Sequence, residues 1–482
     1  MKTETSVLQV DFSAQPAGPA PLAWAQLAIW DVLRWLPPGD DSLNQVGWIP
    51  VPPGTDPDAV VTALRTVLER HDSLRSVYFE TAGEPTQRVL AEGRLPLLIS
   101  EATDPDLEAA AAAVGERLKQ GAFDNARDLP VRAELLTRAG APWALVLVVS
   151  HMCADGWSIS LVKRELTTLL EKGSGDGVLP PRGRQPVERA AFERTEEGAA
   201  RERLTLQQWT STLEQASATM LEKPGGPEAG VGDWGRIDSP AAATAAAALS
   251  AAAGVNPGAV VLAALALLLG FRVAEPRATL RVIVTPRFTA ADRFYVGAFN
   301  QNALFHVEID EDEPLLGYLR RAGAGALGAY RRCEADPRKV EQLVADVAER
   351  RGFTPDGYCF FNDVRFNFAD RSAAGAGGDP ADPAELTSSL ERTVLEQLHK
   401  DERQKGAKLF LYLQELGPSC RITACLDPAF LGPYRITALL GDLERLLVRA
   451  ASAPHTPVGA LRPAWTLDGS AAPHSTPPIK EV

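Results

Sequence analysis

Apolar positions in the first third of the chain follow two spacings, one typical of an amphipathic helix and one typical of a buried strand. Between Asp56 and Ser76 the apolar residues recur every three to four positions, with Asp56 or Asp58 as a candidate N-cap. From Trp143 to Val149 the apolar run is unbroken and rich in β-branched residues, as in strands covered on both faces. The pattern predicts a helix and a buried strand. The predicted helical stripe consists of Val60, Ala63, Leu64, Val67 and Leu68.

The predicted strand ends in "SHMCADGWS", residues Ser150–Ser158, and a second helical pattern begins directly after it. That pattern stops at Gly173, a residue type common just past a helix end. The stretch therefore joins a strand to a helix through a short loop. The apolar stripe of this second helix consists of Ile159, Val162, Leu166, Leu169 and Leu170.

The rest of the chain again alternates strand and helix patterns, which predicts an α/β fold with mixed sheets (α+β) in both halves. Residues 173–186 are dense in glycine and proline and lack an apolar period, so we interpret them as a linker between two domains. Residues 371–385 are predicted to be a mobile loop. The predicted division is an N-terminal domain at 1–172, the linker at 173–186, a C-terminal domain at 187–451 and a disordered, proline-rich tail at 452–482.

One segment, Pro240–Phe271, holds no charged residue and has the composition of a membrane span. The turn sequence Gly254–Gly258 interrupts it, and the apolar run after this break is shorter than the ~20 residues that a bilayer requires. We therefore predict two buried, alanine-rich helices joined by a turn, and no contact with a membrane.

Composition and charge argue against several classes of function. The chain has 62 Asp and Glu against 49 Lys and Arg, a net charge of −13, which argues against a surface that binds nucleic acid. Its five cysteines lack C-x-x-C spacing, so we expect neither a disulfide framework nor a metal site. The N-terminal residues lack the apolar core of a signal peptide, and we expect a cytoplasmic location.

His151 is the candidate general base of the loop, because the pKa of an unperturbed histidine lies near neutral pH. The alternative is a structural histidine whose ring only satisfies hydrogen bonds. Cys153 is a candidate nucleophile, but a buried and inert cysteine is favoured, because the turn at Gly156 interrupts the strand geometry that would place both side chains on one face. Asp155 is a candidate anchor of the loop, either by pairing with a cation or by accepting hydrogen bonds from backbone N–H groups.

At this loop the sequence resembles a known family. "SHMCADGWS" is similar to the HHxxxDG motif of nonribosomal peptide synthetase condensation domains, which share the chloramphenicol acetyltransferase fold. Three further segments resemble family motifs in the same order: "PLAWAQLAIW" (Pro21–Trp30), "RHDSLRSVYF" (Arg70–Phe79) and "VGAFNQNALFHV" (Val296–Val307). Arg287 occupies the place of the arginine in the family's G-R motif.

The resemblance implies two acetyltransferase-like subdomains that form a V around a central tunnel, with His151 at the tunnel floor. It implies that His151 is the catalytic base and that Gly156 lets a backbone N–H approach the oxygen of the reacting carbonyl closely. Asp155 is then a structural residue of the site and pairs across the two domains with Arg287.

The sequence departs from the family pattern at three positions. Ser150 replaces the first motif histidine, Pro286 stands where a glycine would precede the arginine, and Gln301 falls where an asparagine is expected. We assign Ser150 a structural place at the site. Trp157, Gln301 and Asn302 are the predicted substrate contacts.

The implied function is a stand-alone acyltransferase that joins an acyl or aminoacyl thioester on a carrier protein's phosphopantetheine arm to an amine in natural-product biosynthesis, without a bound cofactor. Because we recognise no adenylation or carrier domain in the sequence, we expect the carrier protein to act in trans. Two alternatives stay open: a transferase that uses acyl-coenzyme A or forms an ester with an alcohol, and a catalytically retired domain that recruits a pathway partner. Clustered arginines in residues 180–184 and 320–333 are candidate docking sites for an acidic carrier protein, or else a linker and a solvated helix face.

Overall fold

The structure of the chain is a computed structural model. It describes residues 6–175, 177–221, 231–365, 383–400, 404, 406–430, 434–463 and 480–481. By its internal contacts the chain divides into two compact units. Unit 1 consists of Met1–Glu202, Thr285–Gln301 and Ala335–Arg338, and unit 2 of Arg203–Val284, Asn302–Glu334 and Lys339–Val482.

The described part of the chain alternates strands and helices. Its strands are β1 (Ser6–Ser13), β2 (Ala17–Pro21), β3 (Asn44–Pro50), β4 (Ser76–Thr81), β5 (Glu84–Val89), β6 (Glu92–Glu101), β7 (Val131–Arg138), β8 (Ala141–Ser150), β9 (Asp233–Ser239), β10 (Arg277–Val284), β11 (Gln301–Glu308), β12 (Cys359–Asp363), β13 (Val394–Leu398), β14 (Leu409–Leu416), β15 (Cys420–Leu426) and β16 (Lys480–Glu481). Its α-helices are α1 (Trp24–Trp35), α2 (Pro57–Arg70), α3 (Leu107–Lys119), α4 (Gly156–Lys172), α5 (Pro186–Glu193), α6 (Glu196–Leu213), α7 (Pro240–Ala253), α8 (Pro257–Val273), α9 (Ala290–Arg293), α10 (Leu315–Arg331), α11 (Pro337–Arg351), α12 (Pro383–Leu390) and α13 (Ile436–Ser452). Short 3₁₀ helices lie at Asp72–Arg75 and Val458–Leu461.

Unit 1 is built on a five-stranded sheet with the order β1-β6-β7-β8-β3 and a three-stranded sheet with the order β2-β5-β4. In the larger sheet β6 and β7 run parallel and the other neighbours are antiparallel, so the sheet is mixed. β8 is the strand predicted from residues 143–149. Leu145 and Leu147 pack into one core of unit 1, and Ala144 and Val146 pack into another. The prediction of a strand covered on both faces is therefore confirmed.

Helices α2 and α4 of unit 1 follow the predicted apolar patterns. α2 begins after Asp56, whose carboxylate accepts a hydrogen bond from the Ala59 N–H at 2.6 Å, so Asp56 is the N-cap. All five predicted stripe residues of α2 are buried. α4 ends before Gly173, whose φ of 77° is a conformation that glycine adopts at little cost.

Unit 2 is built on an eight-stranded sheet with the order β11-β10-β12-β14-β15-β9-β13-β16. The parallel pairs β10–β12 and β12–β14 lie beside antiparallel pairs such as β14–β15, so this sheet is mixed as well. β10 and β11 lie in the part of the chain where the sequence predicts alternating strands and helices. The mixed α/β fold class predicted from the sequence is confirmed.

The uncharged segment of unit 2 forms two helices, α7 and α8, and Asn256 caps the second of them. Every residue of α8 from Gly258 to Phe271 is buried, which confirms the prediction of buried helices joined by a turn. Within the described ranges no single helix is long and apolar enough to cross a membrane. α7 and α8 meet such a criterion of length and composition only as a pair, and this pair is bent by 103°.

The two units differ from the predicted domains, because unit 1 also contains the predicted linker and residues 187–202, 285–301 and 335–338 of the predicted C-terminal domain. Residues 173–186, which we interpret as a linker, lie within unit 1, where Arg182 pairs with Asp72 at 2.5 Å. Residues 285–301 of the predicted C-terminal domain also pack with unit 1. In both segments charged side chains have their partners in unit 1. Such long-range pairing is not visible in the glycine and proline content of a sequence.

Two predictions of mobility and disorder fall partly outside the described chain. Residues 371–382 of the predicted mobile loop and residues 464–479 and 482 of the predicted tail lie outside the described residues. The neighbouring parts of both segments have regular structure: Pro383 begins α12, Ser452 ends α13 and Val458–Leu461 form a 3₁₀ helix.

Candidate functional site

The loop after β8 closes as a tight turn that carries His151. The Ser150 carbonyl accepts a hydrogen bond from the Cys153 N–H at 3.0 Å, and the Ser150 hydroxyl accepts one from the Met152 N–H at 3.3 Å. The His151 N–H donates to the Leu43 carbonyl at 3.1 Å. Ser150 therefore stabilises the turn that presents the imidazole.

The imidazole of His151 is half-buried, and its two nitrogens have different surroundings. Nδ1 lies 2.9 Å from the Ala154 carbonyl oxygen, which can only accept, so Nδ1 carries the proton of the neutral ring. Nε2 then holds the lone pair, and no described residue forms a hydrogen bond with it. Burial lowers the pKa of His151 below its usual 6.5, against the opposing effects of the Asp155 carboxylate and the Ala154 carbonyl. The ring is therefore neutral at pH 7 and able to act as a base.

The Asp155 carboxylate and the Arg287 guanidinium form the predicted ion pair. Nη1 and Nη2 of Arg287 donate to different oxygens of Asp155, both at 2.9 Å, which is a bidentate geometry. The Arg287 and Asp155 side chains are 4% and 3% exposed. The pair joins residues of the two domains predicted from the sequence, but both residues belong to unit 1, so the pair lies within one unit of the structure.

Ser158 is a residue of this site without a predicted role. Its Oγ lies 2.7 Å from Asp155 Oδ1 and accepts hydrogen bonds from Arg287 Nη2 at 2.9 Å and from the Gly297 N–H at 3.0 Å. Asp155 also caps α4 by accepting from the Ser158 N–H at 2.8 Å. The spacing D-x-x-S at the start of a helix is the sequence signal that indicates this contact.

Gly297 brings the segment 285–301 against the start of α4. Its carbonyl accepts a hydrogen bond from the Asp155 N–H at 3.3 Å and lies 2.9 Å from Ser158 Oγ. A Cβ at this position would collide with the Tyr295 side chain. Only glycine therefore fits at this point of the "VGAF" motif without a shift of its neighbours.

The first turn of α4 presents two backbone N–H groups directly after the His151 loop. The N–H groups of Gly156 and Trp157 precede the intrahelical hydrogen bonds, and no described residue accepts from them. Gly156 is half-buried. Because glycine has no side chain, no atom of its own side chain blocks access to its N–H. Because the start of a helix favours negative charge, this turn can stabilise an oxyanion.

The three predicted substrate contacts have different surroundings. Trp157 is half-buried, its ring centroid lies 5.8 Å from the Arg287 guanidinium, and its buried Nε1 has no acceptor among the described residues. Gln301 is 7% exposed, and its Nε2 likewise has no described partner. Asn302 is exposed and belongs to unit 2. The described contacts join Trp157, but not Gln301, to the Asp155–Arg287 pair.

The family model of the condensation domain matches residues 17–349, more than half of the chain. The chain belongs to the condensation domain family. It is 30% identical over 317 residues to the AMB antimetabolite synthetase AmbB of Pseudomonas aeruginosa, a match that covers 64% of this chain and 25% of AmbB. It is 36% identical over 186 residues to the phosphinothricin tripeptide synthetase PhsC of Streptomyces viridochromogenes, covering 36% of this chain and 16% of PhsC. This condensation domain therefore spans a quarter or less of each relative.

A solved condensation domain has the same fold. The starter condensation domain of rhizomide synthetase RzmA, solved as a mutant in complex with C8-CoA, superposes on this chain with a TM-score of 0.68 at 17% identity. The match covers 92% of this chain and 96% of the RzmA chain. At this identity the likeness concerns the fold alone. Together with the family model, it confirms the resemblance drawn from the sequence motifs.

The cysteine of the condensation domain motif is not a reactive nucleophile. Cys153 is fully buried, and burial raises the pKa of its thiol well above the usual value, so the reactive thiolate is not formed near neutral pH. Its Sγ donates to the Pro130 carbonyl at 3.5 Å. Among the residues that the structure describes, no three His, Cys, Asp or Glu side chains form a group that could hold a metal ion.

Proposed function

We propose that this condensation domain is an active acyltransferase, which forms an amide bond between a carrier-bound acyl thioester and an amine. The observation that supports the proposal most is the state of His151. Its Nδ1 is held by the Ala154 carbonyl, its lowered pKa keeps the ring neutral at pH 7, and its Nε2 has no described partner. A neutral imidazole with an available lone pair is the group that deprotonation of an attacking amine requires.

In the proposed reaction the acceptor nitrogen attacks the carbonyl carbon of the thioester. His151 Nε2 accepts a proton from this nitrogen as the C–N bond forms, and the protonated ring returns that proton to the sulfur as the C–S bond breaks. The N–H groups of Gly156 and Trp157 are the proposed donors to the carbonyl oxygen while it carries negative charge. The products are an amide and the phosphopantetheine thiol, so the reaction needs no bound cofactor.

Asp155 is proposed to anchor the loop and not to act as a base. Both of its oxygens already accept hydrogen bonds, from Arg287 and Ser158. Trp157, Gln301 and Asn302 stay proposed substrate contacts. Trp157 and Gln301 each have a buried donor without a described acceptor, which an acceptor atom of a substrate would satisfy. Trp157 has the stronger support, because its ring centroid also lies 5.8 Å from the Arg287 guanidinium.

Two alternatives are separated from this proposal by the choice of donor and acceptor. Transfer from acyl-coenzyme A, the kind of molecule bound to the RzmA domain, or transfer to an alcohol would identify the coenzyme A-dependent or ester-forming enzyme. Capture of a pathway partner without any transfer would identify the retired domain, an alternative motivated by Ser150 and Gln301 at motif positions. Assays with carrier-bound and coenzyme A-bound donors, each with an amine and an alcohol, test all of these. We expect the highest kcat/KM for the carrier-bound donor with the amine.

The pH dependence of transfer should report the lowered pKa of His151. Below that pKa the ring is protonated and cannot accept the amine proton, so kcat/KM should stay level through neutral pH and fall only below the usual 6.5 of histidine. A weakly basic acceptor amine, which stays unprotonated over this range, removes the titration of the acceptor itself. An acid limb centred at or above 6.5 would contradict the assignment of His151 as the base.

A positively charged helix of unit 2 is the proposed docking site for a carrier protein that acts in trans in the cytoplasm. α10 contains three arginines and no acidic residue, in a chain with a net charge of −13. Arg331 and Arg332 are exposed at its C-terminal end, and Leu327, one turn earlier, is 48% exposed. An acidic partner with an apolar contact residue complements this surface.

The other candidate docking site, residues 180–184, has its arginines engaged within unit 1. Arg182 lies 2.5 Å from Asp72, and Arg184 lies 3.3 Å from Asp292. Since these cations already have acidic partners, we place the proposed docking site at α10.

Reversing two charges, Arg331→Glu with Arg332→Glu, should raise the KM for a carrier-bound donor about tenfold and leave the KM for a small pantetheine thioester unchanged. Arg164→Glu with Lys172→Glu is the control, because it changes the net charge equally on the exposed side of α4 and should alter neither KM. An equal rise in KM with both donors would mean that the arginines stabilise the fold, for example through the hydrogen bond of Arg332 to Gln208 at 3.0 Å. An unchanged KM with both donors would place docking elsewhere.

A further inference from the structure

A buried ion pair on α5 lies outside the site described above and takes no part in the proposed chemistry. Arg189 and Glu193 are about one helical turn apart, and each side chain is 1% exposed. Arg189 Nε donates to Glu193 Oε1 at 2.8 Å. Burying two charges is costly unless further contacts satisfy them. The other contacts of Arg189 and Glu193 therefore indicate which parts of unit 1 this ion pair connects.

Glu193 connects α5 to the beginning of α1. Its second oxygen, Oε2, accepts a hydrogen bond at 2.8 Å from the Trp24 N–H, the first amide of that helix. Burial raises the pKa of Glu193 to about 7, against the opposing charges of Arg189 and Arg194. With one oxygen bonded to α1 and the other to Arg189, Glu193 fixes the guanidinium in one orientation.

The guanidinium of Arg189 also contacts the segment 285–301. Its Cζ lies 4.6 Å from the centre of the Phe299 ring, a cation–π contact. Its Nη1 lies 3.9 Å from Oδ1 of Asp292, whose side chain is 1% exposed. Arg184 Nη1 approaches the same oxygen at 3.3 Å. Two arginines of unit 1 therefore hold the segment that carries Arg287.

Phe299 is shared between Arg189 and the arginine of the site. Cζ of Arg287 lies 5.2 Å from the centre of the Phe299 ring, and the ring of Tyr295 lies 4.8 Å from it, centroid to centroid. Arg287 also donates to the Tyr295 carbonyl at 3.2 Å. Phe299 is 1% exposed, so close packing leaves its ring little freedom. A continuous chain of contacts thus runs from Arg189 through Phe299 to Arg287 and Asp155.

We propose that Arg189, held in place by Glu193, is a positioning residue that sets the orientation of Arg287 through Phe299. The inference rests on the proposed acyltransferase function and adds residues to it. Arg287 orients the Asp155 carboxylate, and this carboxylate caps α4, whose first turn offers the proposed oxyanion donors. A displacement of Phe299 is therefore passed to groups that face the reacting atoms, where a misplacement of about 1 Å can cost about 10²-fold in rate.

Arg189→Lys tests this role, because lysine keeps the charge and lacks the planar fork that contacts Glu193 and Phe299 together. With a small pantetheine-thioester donor, kcat should fall at least about tenfold while KM stays unchanged. Glu165→Gln is the control for a general loss of stability in unit 1. Glu165 is another buried glutamate of unit 1, lies 2.7 Å from His71 and has no described contact with Phe299. This control should lower the melting temperature without lowering kcat.

A double-mutant cycle separates positioning from general stability. In an Arg287→Lys background, Arg189→Lys should change kcat less than about twofold, because the residue through which it acts is already altered. If Arg189→Lys lowers kcat by the same factor in the wild type and in the Arg287→Lys background, the two residues act independently and the proposal is overturned. Phe299→Leu breaks the same chain of contacts without changing a charge. It should reproduce the loss of kcat and replaces Arg189→Lys in the cycle if that variant does not fold.

Hydrogen exchange gives a readout that does not depend on activity. Amides of the segment 285–301 should exchange at least about threefold faster in Arg189→Lys than in the wild type, and Glu165→Gln should leave their exchange unchanged. If the wild type transfers no acyl group, the proposed function fails, and the exchange rates still decide whether Arg189 holds this segment. Wild-type exchange in both Arg189→Lys and Phe299→Leu would overturn the proposal.

Discussion

Replacing His151 by alanine should lower the rate of acyl transfer by about 10²–10⁴-fold, the usual contribution of a general base. The loss should appear in kcat, because the alanine variant lacks the Nε2 lone pair that takes the proton from the amine. The measurement is a single-turnover assay with a pantetheine-thioester donor and an amine, which removes carrier docking from the observed rate. The melting temperature should change little, since the half-buried ring makes only one described hydrogen bond, to Ala154.

His306→Gln is the matched control for the loss of a histidine. His306 is also half-buried and also has a pKa lowered by burial, but it belongs to unit 2, where Nδ1 lies 2.9 Å from the Thr279 hydroxyl. This variant should keep the turnover of the wild type. Unchanged turnover in a folded His151→Ala variant would remove His151 from the mechanism. An inactive wild type would favour the retired domain instead.

Asp155→Ala should lower the free energy of unfolding by about 3–5 kcal/mol, because it leaves the Arg287 guanidinium buried without its partner. Asp155→Asn should lower the free energy of unfolding less, since the amide oxygen can still accept a hydrogen bond from the Ser158 N–H and cap α4. Denaturant titration of the two variants beside the wild type measures both losses.

An exposed pair of the same residue types provides the control for this stability effect. Arg94 and Asp11 form an ion pair at 2.6 Å with side chains 64% and 61% exposed, so Asp11→Ala should cost less than about 1 kcal/mol. If Asp155→Ala costs as little as this control, the carboxylate is not the anchor of the loop. Asp155 would then return as a candidate for the catalytic base.

Local patterns in the sequence predict the elements that hold the site. The apolar run at 143–149 predicts β8, and Asp155–Gly156 marks the start of α4, because burial and helix capping depend on residues a few positions apart. The ion pair of Asp155 with Arg287 joins residues 132 positions apart. It could be predicted only because family motifs contain both positions.

Contacts between distant residues that no motif contains could not be predicted in this way. Arg182 and Asp72 are 110 positions apart, and the glycine and proline around Arg182 indicate a linker although the arginine is tied to unit 1. Arg189 and Glu193 have the spacing of an ordinary surface pair on a helix, and nothing local shows that both are buried or that Arg189 lies against Phe299. Charge indicates that a side chain needs a partner and does not say which one.

We propose that this condensation domain uses His151 to move an acyl group from a carrier protein to an amine. Intact-mass measurement of acyl-loaded carrier proteins from the same pathway, before and after addition of the domain and an amine, tests it most directly. We predict that the wild type converts the acyl carrier to the free phosphopantetheine thiol form with an equal amount of amide, and that His151→Ala leaves the acyl carrier at its original mass over the same time. An acyl carrier that keeps its mass with the wild type, or loses its acyl group equally fast with His151→Ala, would contradict the claim.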